Sequence, residues 1–331
     1  MAQFRAERSA IGAQPIVVLT DAQRQRRVRI ACRGAALLGF EVPRAGTPFD
    51  LAWGYRDAAE IVARDGSHFA IMAPFPGRIG DARYEFDGHA YDLAPGVTGP
   101  REVRHGFVRD ADFDVEQLVA DAGAARLTLA TQAIRPRAGY PFAIDLAVEF
   151  MLDPAGLTLA AHMHNVGEHA APCYFGWHAY FRAGPGLSND WTLEIPAYTT
   201  VRTDDKLIVL PGVAAYAPLD STPELDFRAP RRVGAQVLDN AYTHLVADAD
   251  GRIRTRLADP ASGFGFTVWQ ERGVMHAFTG DTLGAGARSA IALEPMECLA
   301  NAFTRPDCAD AIRLAPDALR TFRCGIELPQ D

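Results

Sequence analysis

Apolar and polar residues alternate along most of this chain, and this period of two restricts the fold more than any other feature. Successive side chains of a β-strand point to opposite faces, so the alternation is typical of strands that are buried on one side. The apolar faces recur from one end of the sequence to the other: Val28, Ile30 and Cys32; Ile144, Leu146, Val148, Phe150 and Leu152; Leu157, Leu159, Ala161 and Met163; Phe264, Phe266 and Val268; Phe322, Cys324, Ile326 and Leu328.

Turn-forming residues separate these runs, at 87–88, 153–156, 165–167 and 250–251. Two short segments, 57–63 and 315–319, carry a helical pattern instead. We therefore predict an all-β fold, a large antiparallel β-sandwich of two packed sheets. No linker or repeat interrupts the chain, so we expect one domain over 1–331, with a ligand on a concave sheet face or at the mouth of the sandwich.

Composition excludes several classes of partner. The formal net charge of −8 gives no basic excess for nucleic acid or for an anionic membrane surface. No apolar run approaches the roughly 20 residues that span a bilayer, and the first eight residues carry charge without an apolar run, so we expect no secretory signal. The five cysteines are odd in number, widely spread and without a CxxC pair, which favours reduced thiols in a cytoplasmic protein.

The segment 174–181, YFGWHAYF, places one histidine within a run of aromatic residues. Read as a strand, it has a core face of four residues: Phe175, Trp177, Ala179 and Phe181. Its other face consists of Tyr174, Gly176, His178 and Tyr180. This second face offers hydroxyl groups, an imidazole and a gap at glycine, which suit a polar ligand with apolar patches. The alternative is that His178 is a hydrogen-bonded core residue.

The segment 291–296, IALEPM, supplies a possible partner for His178. Ile291 and Leu293 would face a core, so Glu294 shares its face with small alanine side chains that leave room beside the carboxylate. A carboxylate and an imidazole in one pocket make an acid/base pair. The alternative is that Glu294, which precedes a proline, only marks the end of a strand.

Three further residues are candidates for binding. His105 in RHGFVR precedes a glycine, which permits close approach by a ligand or by backbone. Arg78 in PFPGRIG is fixed by a turn and can donate several hydrogen bonds to hydroxyl groups. Asp239 in LDNAY can accept hydrogen bonds from sugar hydroxyls. The alternatives are a loop histidine, a solvated surface arginine and an ordinary turn aspartate.

His162 and His164 share one strand face, a spacing that a metal pair can have. Two ligands are too few for a metal site, and no third is identifiable by spacing, so we predict no metal and interpret the pair as exposed histidines. The chain has no GxGxxG, GxxxxGK[ST] or GxSxG motif, which disfavours nucleotide cofactors and serine hydrolysis.

Five segments occur in one order: PFPGRIGDARYEFDGHAYDL with Arg78, RHGFVR with His105, YFGWHAYF with His178, LDNAY with Asp239, and ALEPMECLANAF with Glu294. Together they resemble the aldose 1-epimerase (galactose mutarotase-like) family. The resemblance spans about residues 15–328 and is most specific around His178 and Glu294. It implies a β-supersandwich that holds one sugar in a cleft without a metal or organic cofactor.

By matching position, the resemblance implies that Glu294 is the general base and His178 the general acid. It implies that His105 binds near the ring oxygen and supports catalysis, and that Arg78 and Asp239 bind hydroxyl groups. The reaction is then the interconversion of the α and β anomers of a free aldose. Ring opening, rotation about C1–C2 and reclosure with reversed proton transfers give the other anomer.

Two departures from the family bear on the choice of sugar. Many relatives carry asparagine where this chain has Gly77, and many carry tryptophan where it has Phe113. Both changes are expected to reshape the substrate pocket. The aromatic faces of Tyr174 or Tyr180 are expected to pack on the C–H surfaces of the sugar.

Other functions stay open at this point. An epimerase of hexose phosphates needs a basic cluster, which Arg101, Arg104 and Arg109 can supply. A non-catalytic carbohydrate-binding protein would keep the arginine and the aromatics but would not need the acid/base pair. A carbohydrate lyase on a related sandwich is a further alternative. The sequence names neither the sugar nor the oligomeric state, for which we expect a monomer or a homodimer.

Overall fold

The computed structural model describes residues 2–329, in which antiparallel strands dominate. In chain order, the strands are β1 (Phe4–Ile11), β2 (Gln14–Asp21), β3 (Arg26–Ala31), β4 (Leu37–Arg44), β5 (Thr47–Asp50), β6 (Ala70–Met72), β7 (Arg83–Phe86), β8 (His89–Asp92), β9 (Asp114–Ala120), β10 (Ala125–Ile134), β11 (Ile144–Asp153), β12 (Gly156–Asn165) and β13 (Ala171–Pro172). They continue as β14 (Gly176–His178), β15 (Tyr180–Phe181), β16 (Thr192–Glu194), β17 (Ala197–Val201), β18 (Tyr216–Pro218), β19 (Arg231–Arg232), β20 (Asp239–Leu245), β21 (Ile253–Asp259), β22 (Phe264–Gln270), β23 (Val274–Phe278), β24 (Ile291–Met296), β25 (Arg313–Leu314) and β26 (Leu319–Glu327).

Helices are short and connect the strands. The α-helices are α1 (Ala58–Ala63) and α2 (Ala309–Ile312). Single 3₁₀ turns lie at Asp65–Ser67, Gly80–Ala82, Ser188–Asp190, Gly212–Ala215, Leu219–Ser221, Pro223–Leu225, Gly284–Gly286, Ala302–Thr304 and Pro306–Cys308. Within residues 2–329, no helix is long and apolar enough to cross a bilayer.

Two large sheets form the body of the fold. One has nine strands in the order β19-β16-β21-β22-β26-β12-β11-β10-β9. The other has eight strands, in the order β18-β17-β20-β23-β24-β14-β6, with β15 also paired to β24. A five-stranded meander, β1 to β5, precedes them, and two-stranded pairs join β7 to β8 and β13 to β25. The prediction of an antiparallel all-β fold is confirmed.

The hairpin of β11 and β12 illustrates how the alternating sequence determines a strand pair. The two strands pair from Ile144 opposite Asn165 to Asp153 opposite Gly156, and every second residue of β11 is buried. At the turn, the Asp153 carboxylate accepts hydrogen bonds from the backbone N–H groups of Ala155, at 2.8 Å, and Gly156, at 3.1 Å. An aspartate that accepts hydrogen bonds from the backbone N–H groups two and three residues ahead favours a tight turn, so the sequence is sufficient to predict this turn.

The two large sheets pack face to face through aromatic rings. Phe175 lies 5.8 Å from Phe322 of the nine-stranded sheet, centroid to centroid, and Phe181 lies 5.3 Å from Phe266. All four rings are buried, and burying such a side chain contributes about 1.5–3 kcal/mol. The inner face of the eight-stranded sheet is therefore filled, which leaves its outer face for a ligand.

Helix α1 covers the N-terminal meander. Its N-cap residue, Asp57, accepts a hydrogen bond from the backbone N–H of Glu60 at 2.9 Å, which satisfies one free donor of the first turn. The buried Ile61 packs in a small apolar cluster with Ile16 and Val18 of β2. The helix predicted over 57–63 is thus present as α1.

The second predicted helix, over 315–319, is wrong. Asp317 has a φ of 57°, its N–H donates to the Asn165 carbonyl at 2.9 Å, and β26 begins at Leu319. The buried amide of Asn165 also donates to the Leu314 carbonyl at 2.9 Å. Tertiary hydrogen bonds from one asparagine outweigh a weak local helical pattern and form a turn instead.

Candidate active site

A cavity of about 410 Å³ lies on the outer face of the eight-stranded sheet. Its lining includes all six residues that the sequence singled out for a site: Arg78, His105, His178, Tyr180, Asp239 and Glu294. These residues are as many as 216 positions apart in the sequence, and strand pairing brings them together. The volume is within the range of about 300–1,000 Å³ that small-molecule sites have.

The aromatic segment 174–181 is two short strands rather than one. The Ala179 N–H donates back to the Trp177 carbonyl at 3.0 Å, which ends β14, and the Ala179 carbonyl then accepts from Leu293 N–H at 2.9 Å. Despite this break, His178 and Tyr180 both line the cavity, and their rings stack at 5.0 Å with an interplanar angle of 22°.

Two expectations for this segment need correction. Tyr174 does not line the cavity, because its ring is fully buried and its hydroxyl donates to the Pro76 carbonyl at 3.2 Å. The space beside Gly176 is not open to a ligand, because the side chains of Pro76, Met72 and Met296 fill it.

Of the two tyrosines expected near the sugar, only Tyr180 lines the cavity. Its ring is 1% exposed and lies between those of His178, at 5.0 Å, and His68, at 4.7 Å, so the expected packing of its face on a sugar is wrong.

His178 and Glu294 face each other across paired strands. The Nε2 atom of His178 lies 3.4 Å from Oε1 of Glu294, and the side chains are 10% and 5% exposed. Ile291 and Leu293 of β24 point into the fully buried core, so the pleat turns Glu294 toward the cavity, as the alternation predicted.

Burial shifts the pKa values of both His178 and Glu294. It lowers the pKa of His178 well below its usual value, and the nearby His105 and His276 act in the same direction. Burial raises the pKa of Glu294 to about 7, while His276 opposes that rise. The neutral forms of both groups are therefore favoured, and Glu294 titrates close to neutral pH.

His105 is held in a strained turn at the cavity wall. Its φ is 61°, and its backbone N–H donates to the Gly77 carbonyl at 2.9 Å. Burial, followed by the charges of neighbouring arginines, lowers the pKa of the His105 imidazole to about 3. Its ring meets that of His178 edge to face, with centroids 5.2 Å apart.

Gly106 explains why glycine follows this histidine. It has a φ of 68°, and a Cβ there would overlap the carbonyl of Ala73, whose oxygen accepts from Phe107 N–H at 2.8 Å. The sequence leaves open whether a ligand or backbone lies close to this glycine. The structure shows that the backbone of Ala73 does.

Arg78 and Asp239 contribute opposite charges to the lining of the cavity. The Nε atom of Arg78 lies 3.5 Å from an oxygen of Glu102, which is more than half exposed. Asp239, the first residue of β20, accepts from Nε2 of His276 at 2.9 Å. Burial acts to raise the pKa of Asp239, but the hydrogen bond and charge of His276 outweigh it and lower the pKa.

Sequence reasoning missed His276, which lines the same cavity. It lies on β23 between Met275 and Ala277, both fully buried, so its side chain must point to the outer face. The alternation of 274–278 was the available signal. It was overlooked because this histidine has no aromatic or glycine neighbours that mark a site.

The three arginines considered for a phosphate group do not converge. Arg101 is bound to Asp92 and also lies 3.6 Å from Asp81. Arg109 donates to Ser67 Oγ at 3.2 Å and pairs with an aspartate at 3.3 Å. Of the three, only Arg104 lines the cavity.

Of the two residues that depart from the family pattern, Gly77 lines the cavity and Phe113 does not. Gly77 lines the cavity with a φ of 65°, and a Cβ there would overlap the Cβ of Ala300. Phe113 is buried in the main core and does not line the cavity. The expectation that both reshape the pocket therefore fits Gly77 alone.

His162 and His164 lie on β12 of the nine-stranded sheet, away from the cavity. A ring nitrogen of His162 is 3.0 Å from Thr321 Oγ1, and Nε2 of His164 is 3.0 Å from an Asp317 oxygen. Within residues 2–329, no group of three or more His, Cys, Asp or Glu side chains is arranged to hold a metal ion. The five cysteines are all free.

Comparison with known proteins gives matches over most of this chain. Residues 15–326 match the family model described as Aldose 1-epimerase. The uncharacterized Escherichia coli K12 protein YihR is 25% identical over 236 residues, which cover 70% of each chain. YphB of the same strain is 24% identical over 81% of this chain and 85% of its own.

Solved structures have the same fold. A galactose mutarotase-like protein from Clostridium acetobutylicum superposes with a TM-score of 0.84 and 11% identity, over 99% of both chains. Galactose 1-epimerase from Lactobacillus acidophilus superposes with a TM-score of 0.78 and 16% identity, also over 99% of both chains.

Proposed function

This chain belongs to the aldose 1-epimerase family, and from that premise we propose that it interconverts the α and β anomers of a free aldose. The observation that carries the proposal is the 3.4 Å approach of His178 Nε2 to Glu294 Oε1 in the wall of one cavity. Ring opening needs a base at the anomeric hydroxyl and an acid at the ring oxygen, and these two side chains supply both.

In this mechanism Glu294 removes the proton of the anomeric hydroxyl, and His178 protonates the ring oxygen as the C1–O bond breaks. The open aldehyde rotates about C1–C2 and recloses with the proton transfers reversed. Each positioned acid or base contributes about 10²–10⁴-fold to the rate. Neither step needs a cofactor.

The pair starts from its favoured neutral form, with one shared proton. Burial raises the pKa of Glu294 to about 7 and lowers that of His178, so the proton rests on Glu294. Transfer of this proton across 3.4 Å gives ionised Glu294 and protonated His178, which is the form that opens the ring. The total number of bound protons does not change in this transfer, so the pH dependence of the reaction counts the protons of the pair rather than those of either residue.

His105, Arg78 and Asp239 bind the sugar. His105 is assigned near the ring oxygen, and its ring lies 5.2 Å from that of His178, centroid to centroid. Arg78 and Asp239 are assigned to hydroxyl groups, as donor and acceptor respectively. Tyr180, whose ring stacks on that of His178 at 5.0 Å, is assigned to hold His178 in place rather than to contact the sugar.

The free aldose is favoured over its phosphate ester because Arg101 is bound to Asp92 and only Arg104, of the three arginines, lines the cavity. A non-catalytic sugar-binding role would not require the His178 imidazole and the Glu294 carboxylate to lie 3.4 Å apart. These two observations support an epimerase of unphosphorylated sugars.

One-dimensional exchange NMR across a panel of aldoses and sugar phosphates tests the proposal. Saturation of one anomeric proton should transfer to the other anomer for at least one free aldose, at a rate proportional to protein concentration. If exchange is seen only with sugar phosphates, the substrate is the phosphate ester rather than the free aldose. No exchange above the uncatalysed rate for any member of the panel would favour a binding protein.

A further inference from the structure

His276 and Glu294 occupy directly opposed positions on neighbouring strands. Residue 276 of β23 is in register with residue 294 of β24, and the Cβ atoms of opposed residues lie about 4.5–5.5 Å apart. Nε2 of His276 is 2.9 Å from Oδ1 of Asp239 on β20. All three side chains line the cavity, and β23 lies between β20 and β24.

We propose that His276, held by Asp239 and opposed to Glu294, is a positioning residue whose positive charge favours the ionised carboxylate of Glu294. The inference rests on the proposed function, because it explains how the base of that reaction reaches its working form. His276 transfers no proton in this scheme. It acts only through its charge and its place in the sheet.

A buried carboxylate without a nearby cation is costly, so Glu294 needs compensation to act as a base. Its side chain is 5% exposed, which makes the protonated form the default. An opposite charge within about 4–6 Å lowers a carboxyl pKa by 1–3. Among the groups that act on Glu294, His276 is the strongest that favours ionisation.

Other charges also face this pair and must be considered with it. The titratable and charged side chains around it in the lining are Arg78, Arg104, His105, His178, Tyr180 and Asp239. Arg78 also lowers the pKa of Glu294, but more weakly than His276 does, whereas Asp239 raises it. In the resting pair, before the proton moves from Glu294 to His178, both His105 and His178 have lowered pKa values and supply little positive charge. The charge of His276 also lowers the pKa of His178, so in this scheme it acts in favour of the ionised carboxylate and not of the protonated imidazole.

Glu294 and Asp239 together make a charged His276 favourable at this depth. Burial lowers the pKa of His276, but the charges of Glu294 and Asp239 and the hydrogen bond to Asp239 outweigh burial and raise it. The side chain is 22% exposed, so it keeps some access to solvent. The Asp239 carboxylate thus stabilises the His276 cation, and that cation stabilises the ionised carboxylate of Glu294.

The test is a pH titration of the Glu294 carboxyl by ¹³C NMR, with the signal assigned by its loss in Glu294→Gln. His276→Gln and His276→Asn each keep an amide that can donate to Asp239 but remove the charge. We expect the Glu294 midpoint, near pH 7 in the wild type, to rise by about one pH unit in both variants, a tenfold change in proton affinity.

A matched control is His164→Gln, which removes the histidine of another His–Asp pair, 3.0 Å from Asp317 on the nine-stranded sheet. It should leave the Glu294 midpoint unchanged. Circular dichroism shows whether each variant is folded. If neither His276 variant folds, titration of the His276 ring in the wild type decides, because the inference requires its pKa to exceed the ordinary 6.5.

The titration needs no substrate, so it separates this inference from the proposed function. A midpoint that rises in the His276 variants supports the charge effect even if no aldose is epimerised. In an active enzyme, the pH–rate profile should also move to higher pH by the same amount. An unchanged midpoint in folded His276 variants, or a His276 ring that is neutral at pH 6.5, overturns the inference.

Discussion

Nε2 of His178 lies 3.4 Å from Oε1 of Glu294, although 115 residues separate the two in sequence. The pairing of β14 with β24, at Gly176 opposite Met296, sets this distance. Both side chains are nearly buried, so burial and a few neighbouring charges, rather than solvent, determine their protonation.

The rate should follow a bell-shaped pH profile. At low pH the His178–Glu294 pair takes up a second proton, and the base is lost. Above pH 7 the pair loses its only proton, because the pKa of Glu294 is raised to about 7 and that of His178 is lowered. We expect the alkaline limb of kcat/KM near neutral pH, as a property of the pair.

Measurement of kcat/KM between pH 4 and 10 in wild type and His178→Asn checks this profile. The variant should lose the alkaline limb together with most of the rate. If His178→Asn keeps both the rate and the limb, His105 becomes the better candidate for the acid, and the roles of the two histidines are exchanged.

Glu294 should reduce stability above neutral pH. Its pKa is raised from 4.5 to about 7 in the folded protein, so the cost is absent below pH 4.5 and complete above about pH 7. That shift corresponds to about 3 kcal/mol. In urea unfolding, Glu294→Gln should therefore gain about 2–3 kcal/mol over the wild type between pH 5 and pH 8.

Glu194→Gln is the control for this gain, since Glu194 lies on the nine-stranded sheet and pairs with Arg256 at the surface. Its difference from the wild type at pH 8 should be smaller than that of Glu294→Gln. A Glu294→Gln difference that is equal at pH 5 and pH 8 would show that the carboxyl titrates normally in the folded protein.

Gly77 should resist conversion to the asparagine that many relatives carry. Asparagine tolerates the φ of 65°, but its Cβ would overlap the Cβ of Ala300. We expect Gly77→Asn to lose about 1–3 kcal/mol of stability and to raise KM, because the added atoms displace the cavity wall. Ala300→Gly in the same chain should restore both, and a double variant no better than Gly77→Asn contradicts this explanation.

Chelation should leave the activity unchanged. The acid and base of the proposed reaction are side chains, and residues 2–329 contain no cluster of three or more suitable metal ligands. Exchange rates before and after exhaustive dialysis against EDTA should agree within about twofold. Loss of activity that zinc restores would contradict this and direct attention to His162 and His164.

The sequence was sufficient for the fold and for most of the candidate site, for a physical reason. Alternation is a property of each strand, so β11 and β12 and the turn at Asp153 are legible without tertiary information. The same pleat predicts which side of β24 carries Glu294. What lies opposite a residue on another strand depends on register, which a single sequence does not specify.

The predictions that were missed or wrong also depend on contacts between segments that are far apart in the sequence. His276 was missed because its importance comes from Glu294 and Asp239 on the two neighbouring strands. The turn at 315–319 depends on Asn165, which is about 150 residues away. The expected gap beside Gly176 is filled by side chains from other segments.

The most direct test of the central claim, that Glu294 is the base in sugar ring opening, is the anomerisation rate of Glu294→Gln. Exchange NMR on the best aldose substrate at pH 7 should show a rate lower by two or more powers of ten, with the fold intact by circular dichroism. Glu194→Gln should keep the wild-type rate. A Glu294→Gln variant that epimerises at the full rate would contradict the assignment of the base.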